Sequence, residues 1–211
     1  MANSFYQKYF LPGYSKGLPS SCWPSVGADI GITNDHTVIT AIDKVTNKQI
    51  FYWRFCPGSS RNWHLNYDAL EWVWNYFKVP LRVDCTGAGS HLPNEMPKRG
   101  VPLEEWGGGS DKMKFTEQNK PIIMDNLSSL IGGRAIELFN LPEIKNELAK
   151  MQRTARESGG FKIAAGKNGH DDIPISLGLT CMGVRPLLVS SVGNNTTLTP
   201  GAKSVWQTVE W

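Results

Sequence analysis

Three apolar segments near the start of the chain, joined by short polar connections, constrain the fold more than any other feature of the sequence. They cover residues 26–30, 37–42 and 49–55, and β-branched or aromatic residues predominate in the second and third. Short apolar runs of this composition are typical of β-strands, and connections this short favour antiparallel neighbours. The sequence therefore predicts a three-stranded antiparallel meander.

Helices and strands alternate after this meander. Residues 63–77 place Leu70, Val73, Trp74 and Phe77 on one face at helical spacing, which predicts a helix. The full order predicts an α/β fold with a mixed central sheet, in which parallel strands join the meander and helices flank it. The remaining predicted elements are a strand at 81–85, a tight turn at 87–90 leading into a helix that ends near Gly100, a strand at 101–106, a helix at 120–131, a strand at 135–139, a helix at 141–148, a hairpin at 151–156 and 161–165, and a helix from Asp172 to about Met182.

The composition is that of one globular domain. The 211 residues are 40% hydrophobic and 19% charged, and the net charge of +3 is too small to indicate nucleic-acid binding by itself. Residues 1–25, rich in Gly and Pro, are predicted to form an irregular arm or linker, residues 26–183 the domain, and residues 184–211 a partly irregular tail. No segment has the pattern of a signal peptide or a membrane span. The four cysteines lack zinc-site spacing, so reduced thiols are expected.

Acidic residues stand at three places that matter for the predicted sheet. Asp29 lies inside the apolar first strand, Asp84 ends the fourth strand before a glycine turn, and Asp171 and Asp172 open the last helix. Each position has an ordinary explanation, namely hydrogen bonds from the backbone, a role in a turn, or helix capping. If the first and fourth strands are neighbours, however, their carboxyl ends meet at one edge of the sheet and the acids converge there.

A cluster of these carboxylates would need a cation, because several of them within a few ångströms cannot all stay ionised without one. Oxygen-only ligands favour Mg²⁺ or Mn²⁺, and two such ions are the usual device for hydrolysing a phosphodiester. The acidic positions therefore predict a two-ion phosphodiester hydrolase.

Three motifs in this order resemble the nuclease domain of phage large terminase subunits. They are VGADIG at 26–31 with NDHT at 34–37, VDCTGAG at 83–89, and GHDD at 169–172. The resemblance covers about residues 26–182. It implies an RNase H-like fold and metal-dependent endonuclease activity that cuts concatemeric double-stranded viral DNA during genome packaging.

The resemblance also implies a role for each acidic residue. Asp29 would bridge two Mg²⁺ or Mn²⁺ ions, Asp84 would hold one ion and Asp171 the other. Asp172 is a further or alternative ligand. His170 would support the ligands or contact the scissile phosphate.

The chain departs from this family in lacking an ATPase motif. It has no Gly-x-x-x-x-Gly-Lys-Ser/Thr, and the nearest string, at 165–168, lacks the first glycine and the final hydroxyl. We therefore expect the nuclease part alone, which cannot translocate DNA. The expected partners are double-stranded DNA, the ATPase motor domain of the same full-length protein, the portal and the small terminase. The expected location is the cytoplasm of the infected bacterial host.

Basic residues near the late hairpin predict a path for DNA. Cations there would neutralise phosphates and give sequence-tolerant, salt-dependent binding, whereas a solvated hairpin is the ordinary alternative. The main group is Lys150, Arg153, Arg156, Lys162 and Lys167, and a second group is Lys112, Lys114 and Lys120.

Three other functions fit parts of the pattern. The segments around Asp29 and Asp84 also resemble the phosphate-binding loops of sugar kinases and actin-like ATPases, although the second half of such proteins is not evident. A Holliday-junction resolvase has the same fold and is usually a dimer. A non-catalytic DNA- or portal-binding module would keep the fold and bind DNA without metal-dependent cutting.

Overall fold

A five-stranded sheet lies at the centre of the protein in a computed structural model that describes residues 6–32, 35–56, 63–107, 112–155, 161–166 and 169–184. The strands are β1 (Tyr6–Phe10), β2 (Pro24–Asp29), β3 (Thr37–Asp43), β4 (Lys48–Phe55), β5 (Arg82–Val83), β6 (Met151–Ala155) and β7 (Phe161–Ala165). The helices are α1 (Trp63–Phe77), α2 (Leu92–Glu95), α3 (Asn119–Gly132), α4 (Pro142–Lys150) and α5 (Asp172–Thr180).

The strand order in the central sheet is β1-β4-β3-β2-β5. The first four strands in this order pair antiparallel, and β5 joins β2 in parallel. Strands β6 and β7 form a separate antiparallel hairpin. The predicted meander is confirmed as β2, β3 and β4, and so is the mixed sheet flanked by helices.

The two faces of the sheet have separate cores, because alternate residues of a strand point to opposite faces. In β3, Ile39 and Ala41 pack into the core that contains α1 and α2. Val38 and Ile42 pack instead into the core that contains α3, α4 and α5. The second core therefore carries the helix that begins with the predicted acidic pair.

Helix α5 approaches the sheet very closely at Gly27. A Cβ atom on Gly27 would lie 2.5 Å from the Ser176 carbonyl oxygen and 2.5 Å from the Thr180 nitrogen. In the same interface, the Thr40 Oγ1 atom lies 2.9 Å from Ser176 Oγ and 2.6 Å from Thr180 Oγ1. These buried hydrogen bonds hold α5 at a fixed position on β2 and β3, and the close approach is possible because Gly27 has no side chain.

The predicted irregular arm at 1–25 is wrong for one segment, since residues 6–10 form strand β1. This strand pairs along its whole length with β4 at the edge of the sheet. The ammonium group of Lys8 also lies 3.1 Å from the centre of the Trp72 ring on α1. Pairing and aromatic contacts made far along the chain therefore fix a strand that its local sequence does not specify.

The predictions of two other strands are wrong, because each segment forms only a single β-bridge. Within 101–106 only Leu103 pairs, with Leu81, and within 135–139 only Glu137 pairs, with Lys48. Pro102 has no N–H group to extend a ladder.

The helix predicted to reach Gly100 is also interrupted. It consists of a 3₁₀ turn at Gly87–His91, the single turn of α2 and a second 3₁₀ turn at Pro97–Arg99. The predicted tail lies outside the described residues apart from Val184. Among the helices that are described, none is long and apolar enough to cross a membrane.

Candidate metal centre

Asp29 and Asp84 leave the sheet side by side. Strands β2 and β5 are parallel, with Ala28 opposite Val83, and the Asp84 N–H group donates to the Ala28 carbonyl at 2.9 Å. The next residue on each strand is therefore an aspartate at the carboxyl end of the sheet. The sequence prediction that the first and fourth predicted strands are neighbours is confirmed.

The carboxyl group of Asp29 lies in a place that opposes its ionisation. Burial raises its pKa well above the usual range, and the negative charges of the other three aspartates raise it further. The nearby ammonium group of Lys120 acts in the opposite direction. Asp29 is thus both buried and surrounded by three other carboxylates, with Lys120 as the nearby positive charge that favours its ionised form.

Asp84 is held in position by the glycine turn that follows it. Its Oδ1 atom accepts a hydrogen bond from the Thr86 N–H group at 2.8 Å. Burial raises the pKa of Asp84, and the hydrogen bonds from Thr86 lower it in part. The Thr86 hydroxyl in turn accepts a hydrogen bond from the Phe115 N–H group at 3.0 Å, which ties the segment before α3 to the site.

The start of α5 brings the other two aspartates to the same place. Asp171 occupies the N-cap position but makes no capping hydrogen bond, and its Oδ2 atom instead pairs with Lys120 Nζ at 3.1 Å. Asp172 is buried, with 8% of its surface exposed, and its Oδ2 atom accepts a long hydrogen bond of 3.4 Å from the His36 N–H group. Side-chain capping therefore does not account for this acidic pair.

Two histidines flank Asp172. The Nδ1 atoms of His36 and His170 lie 3.8 Å and 3.9 Å from Asp172 Oδ2. Potential ligand atoms of these three residues lie within 4.8 Å of one another. His170 is a predicted site residue, whereas His36 belongs to the first motif but was not predicted to act in the site. Its position immediately before β3, in which Val38 lies opposite Asp29, is a sequence signal that could have indicated this place.

A buried ion pair behind His36 was not predicted. Arg54 on β4 contacts Glu147 Oε1 on α4 at 2.9 Å and His36 Nδ1 at 3.2 Å. The other carboxylate oxygen of Glu147 accepts a hydrogen bond of 3.0 Å from the N–H group of Ile173, in the first turn of α5. Burial raises the pKa of Glu147, and the Ile173 N–H group and Arg54 lower it. Sequence offers no signal for a pair so far apart in the chain.

A groove of about 280 Å³ runs from Asp84 to the β6–β7 hairpin. Its walls come from the turn after β5, the start of α3 and strand β7, and they include Lys120, Phe161 and Lys162. Asp84 is one of the lining residues, so a chain bound in the groove can reach this carboxylate.

The predicted basic residues differ in their surroundings. Lys150 and Lys162 are exposed. Arg153 pairs with Asp125 at 3.2 Å, Lys112 pairs with Glu105 at 3.0 Å, and Lys120 belongs to the acidic cluster. Lys114 is exposed near the groove, and Arg156 and Lys167 lie outside the described residues.

Comparison with known proteins gives similarity in structure alone. No protein-family model matches the chain, and a search of curated proteins finds no match either. The large terminase nuclease from thermophilic phage G20c is similar at a TM-score of 0.68 and 22% identity, over 80% of this chain and 86% of that one. Its magnesium-bound form has a TM-score of 0.64 and 22% identity, over 78% of this chain and 82% of that one. The Thermus phage P74-26 large terminase nuclease domain has a TM-score of 0.63 and 20% identity, over 78% of this chain and 81% of that one.

The chain therefore has the α/β fold of a nuclease domain. More specifically, this is the fold of the nuclease domain of phage large terminases, which the three sequence motifs predicted.

Proposed function

We propose that this chain is a metal-dependent endonuclease of the large terminase class, which cuts concatemeric double-stranded viral DNA during genome packaging. One observation carries the proposal. Asp29 and Asp84 are adjacent on parallel strands, and the start of α5 adds Asp171 and Asp172 to the same cluster. The proposed catalytic domain spans residues 26–183, with β1 completing its sheet.

The donor set fits hard divalent cations. The four acidic side chains offer only oxygen atoms, and the raised pKa of Asp29 reflects its burial and the negative charge of its neighbours, which a cation would compensate. Asp29 would be shared by two ions, Asp84 would hold one, and Asp171 or Asp172 the other. Two Mg²⁺ or Mn²⁺ ions held there would supply an activated water and stabilise the leaving oxygen of a phosphodiester. The similar nuclease from phage G20c has been crystallised with magnesium, cobalt and zinc.

Other residues of the chain would bind and orient the DNA. The groove beside Asp84 leads the backbone past Lys162 toward the carboxylates. His170 is exposed beside Asp172 and can donate a hydrogen bond to a phosphate oxygen. The pairing of Lys120 with Asp171 holds that carboxylate in place before a cation arrives.

The partners follow from the same proposal. Double-stranded DNA is the substrate, and an ATPase motor domain of the same full-length protein would deliver it. The portal and the small terminase would complete the packaging assembly, which acts in the cytoplasm of the infected bacterial host.

Nicking of supercoiled plasmid tests the proposal most directly. Wild-type protein, Asp84→Asn and the control Asp68→Asn, an exposed position on α1, are compared in Mg²⁺, Mn²⁺ and EDTA. We expect metal-dependent cutting by wild type and Asp68→Asn, and a loss of at least about 100-fold in Asp84→Asn.

Two results would contradict it. Equal cutting by wild type and Asp84→Asn would show that the activity does not arise at this site. DNA binding by wild type without cutting in either metal would favour the non-catalytic module.

A further inference from the structure

The cluster of His36, His170 and Asp172 has the composition of a transition-metal site, because imidazole nitrogens and a carboxylate are common zinc ligands. Whether His36 can serve as a ligand depends on which of its ring nitrogens carries a lone pair. Its contact with Arg54 decides this point.

Arg54 presents only hydrogen-bond donors, since a guanidinium group has no acceptor. Its Nη2 atom lies 3.2 Å from His36 Nδ1, so Nδ1 must provide the lone pair of that hydrogen bond. A neutral imidazole has one proton, and here it must reside on Nε2. Neither ring nitrogen of His36 then has a free lone pair for a metal ion.

The guanidinium group is fixed in this position. Arg54 pairs with Glu147 Oε1 at 2.9 Å, and the two side chains are only 16% and 8% exposed. If Arg54 moved away, the buried carboxylate of Glu147 would lose its ion-pair partner, which is costly. Glu147 also accepts a hydrogen bond from the Ile173 N–H group, so the pair is tied to the start of α5.

The other edge of the His36 ring carries Nε2, and the side chain is partly exposed to solvent. The side chain is 30% exposed, and Asp172 lies 3.8 Å from Nδ1, which is beyond hydrogen-bonding distance. Within the described residues, the His36 ring makes no hydrogen bond other than that with Arg54. Nε2 is therefore a donor beside the carboxylate cluster that is available to a ligand.

We propose that His36 donates a hydrogen bond from Nε2 to a phosphate oxygen of the DNA and is not a metal ligand, and that Arg54, held by Glu147, is the positioning residue that fixes its tautomer. This inference deepens the proposed nuclease function and rests on it. A phosphate is the fitting acceptor because a backbone drawn toward the carboxylates brings anionic oxygens to this edge of the ring.

The tautomer is measured by NMR on protein with ¹⁵N-labelled histidine, and the His36→Ala spectrum assigns the signal. We expect the Nε2–H form of His36 in the wild-type protein. In Arg54→Lys, which keeps the positive charge and loses the planar fork, we expect a mixture of both tautomers. A wild-type Nδ1–H form, or an unchanged tautomer in Arg54→Lys, would overturn the role of Arg54.

Metal binding is measured by calorimetric titration with Mg²⁺ and with Zn²⁺, without DNA. His36→Ala should bind both ions within about twofold of wild type, as should the control His64→Ala at an exposed position on α1. A loss of tenfold or more in Zn²⁺ affinity, confined to His36→Ala, would identify His36 as a ligand and overturn the inference.

DNA binding is measured with a short duplex, with Ca²⁺ in place of Mg²⁺. We expect His36→Ala to bind about tenfold more weakly than wild type and His64→Ala to bind normally, because a hydrogen bond to a charged group is lost. Equal affinity of wild type and His36→Ala would overturn the phosphate contact. None of these measurements requires cleavage, so a failure of the proposed nuclease activity is distinguishable from a failure of this inference.

Discussion

Asp29 is a side chain whose ionisation the fold opposes. Burial is the first cause of its raised pKa, and the neighbouring carboxylates add to it. The folded, metal-free protein therefore holds the Asp29 proton more tightly than the unfolded chain does. The stabilisation from this proton is complete at pH values below the ordinary pKa of an aspartate, and it is lost as the pH rises through the raised folded-state pKa.

Removing this charge is expected to stabilise the metal-free protein. In EDTA at neutral pH, Asp29→Asn should unfold at a Tm about 2–4 °C above wild type, which corresponds to about 1 kcal/mol for a chain of this size. Added Mg²⁺ should raise the Tm of wild type and leave Asp29→Asn unchanged, because the shared ligand is gone. Thermal unfolding followed across pH, with Asp68→Asn as the control, measures both effects. A lower Tm of Asp29→Asn in EDTA would contradict this account.

Single residues in the site differed in how far the sequence could identify them. Asp29 and Asp84 were predictable, because an acid in or beside an apolar strand stands out and adjacent strands meet at one edge. Arg54 and Glu147 were not, since an arginine on a strand and a glutamate on a helix are ordinary surface residues until the tertiary structure buries them together. His36 was intermediate, because it belongs to one of the three motifs but its contact with Arg54 has no signal in the sequence.

At the level of elements, local patterns predicted helix α1 and strands β2 to β4 well, because their apolar residues repeat at the period of the structure that they form. Segments 101–106 and 135–139 have similar composition, but only one residue of each forms a β-bridge. Strand β1 shows the opposite case. Its local sequence does not predict a strand, but it forms one because the edge of β4 supplies the pairing. Whether a short apolar run becomes a strand thus depends on a neighbour that local sequence does not reveal.

The contact between α5 and β2 gives a prediction for a glycine. Gly27→Ala should destabilise the protein by about 1–3 kcal/mol, because the new methyl group would collide with backbone atoms of α5. Displacement of α5 also moves Asp171 and Asp172, so the Mg²⁺-dependent rise in Tm should shrink. Chemical denaturation with and without Mg²⁺ measures both changes.

Gly178→Ala is the matched control on the same helix. The atom nearest to its new methyl group would be the flexible end of Met124, and alanine favours a helix by about 1 kcal/mol over glycine. It should therefore cost less stability than Gly27→Ala and preserve the response to Mg²⁺. If Gly178→Ala proved the more damaging of the two, close packing of α5 on β2 would not be the feature that positions the acids.

Across the whole molecule, the two faces of the sheet have different tasks. One face packs α1 and a layer of aromatic side chains, and the segment between β1 and β2 closes over this core. The other face carries α3, α4 and α5, and the groove to the acidic centre opens between the start of α3 and the β6–β7 hairpin. DNA should therefore approach from the α5 face alone, although the net charge of the chain is only +3.

The salt dependence of DNA binding tests this asymmetry. The test uses the Asp84→Asn protein with Mg²⁺ and the slope of log K, the DNA association constant, against log salt concentration. Lys162→Ala should reduce the magnitude of this slope by about 0.9, the value for one lost phosphate contact. Arg153→Ala should lower it by less, because Asp125 at 3.2 Å already offsets part of that charge. Lys16→Ala, in the exposed β1–β2 connection on the opposite face, should leave the slope unchanged. Fluorescence anisotropy with a labelled duplex measures all three, and an equal change for Lys16→Ala and Lys162→Ala would mean that DNA does not follow the groove.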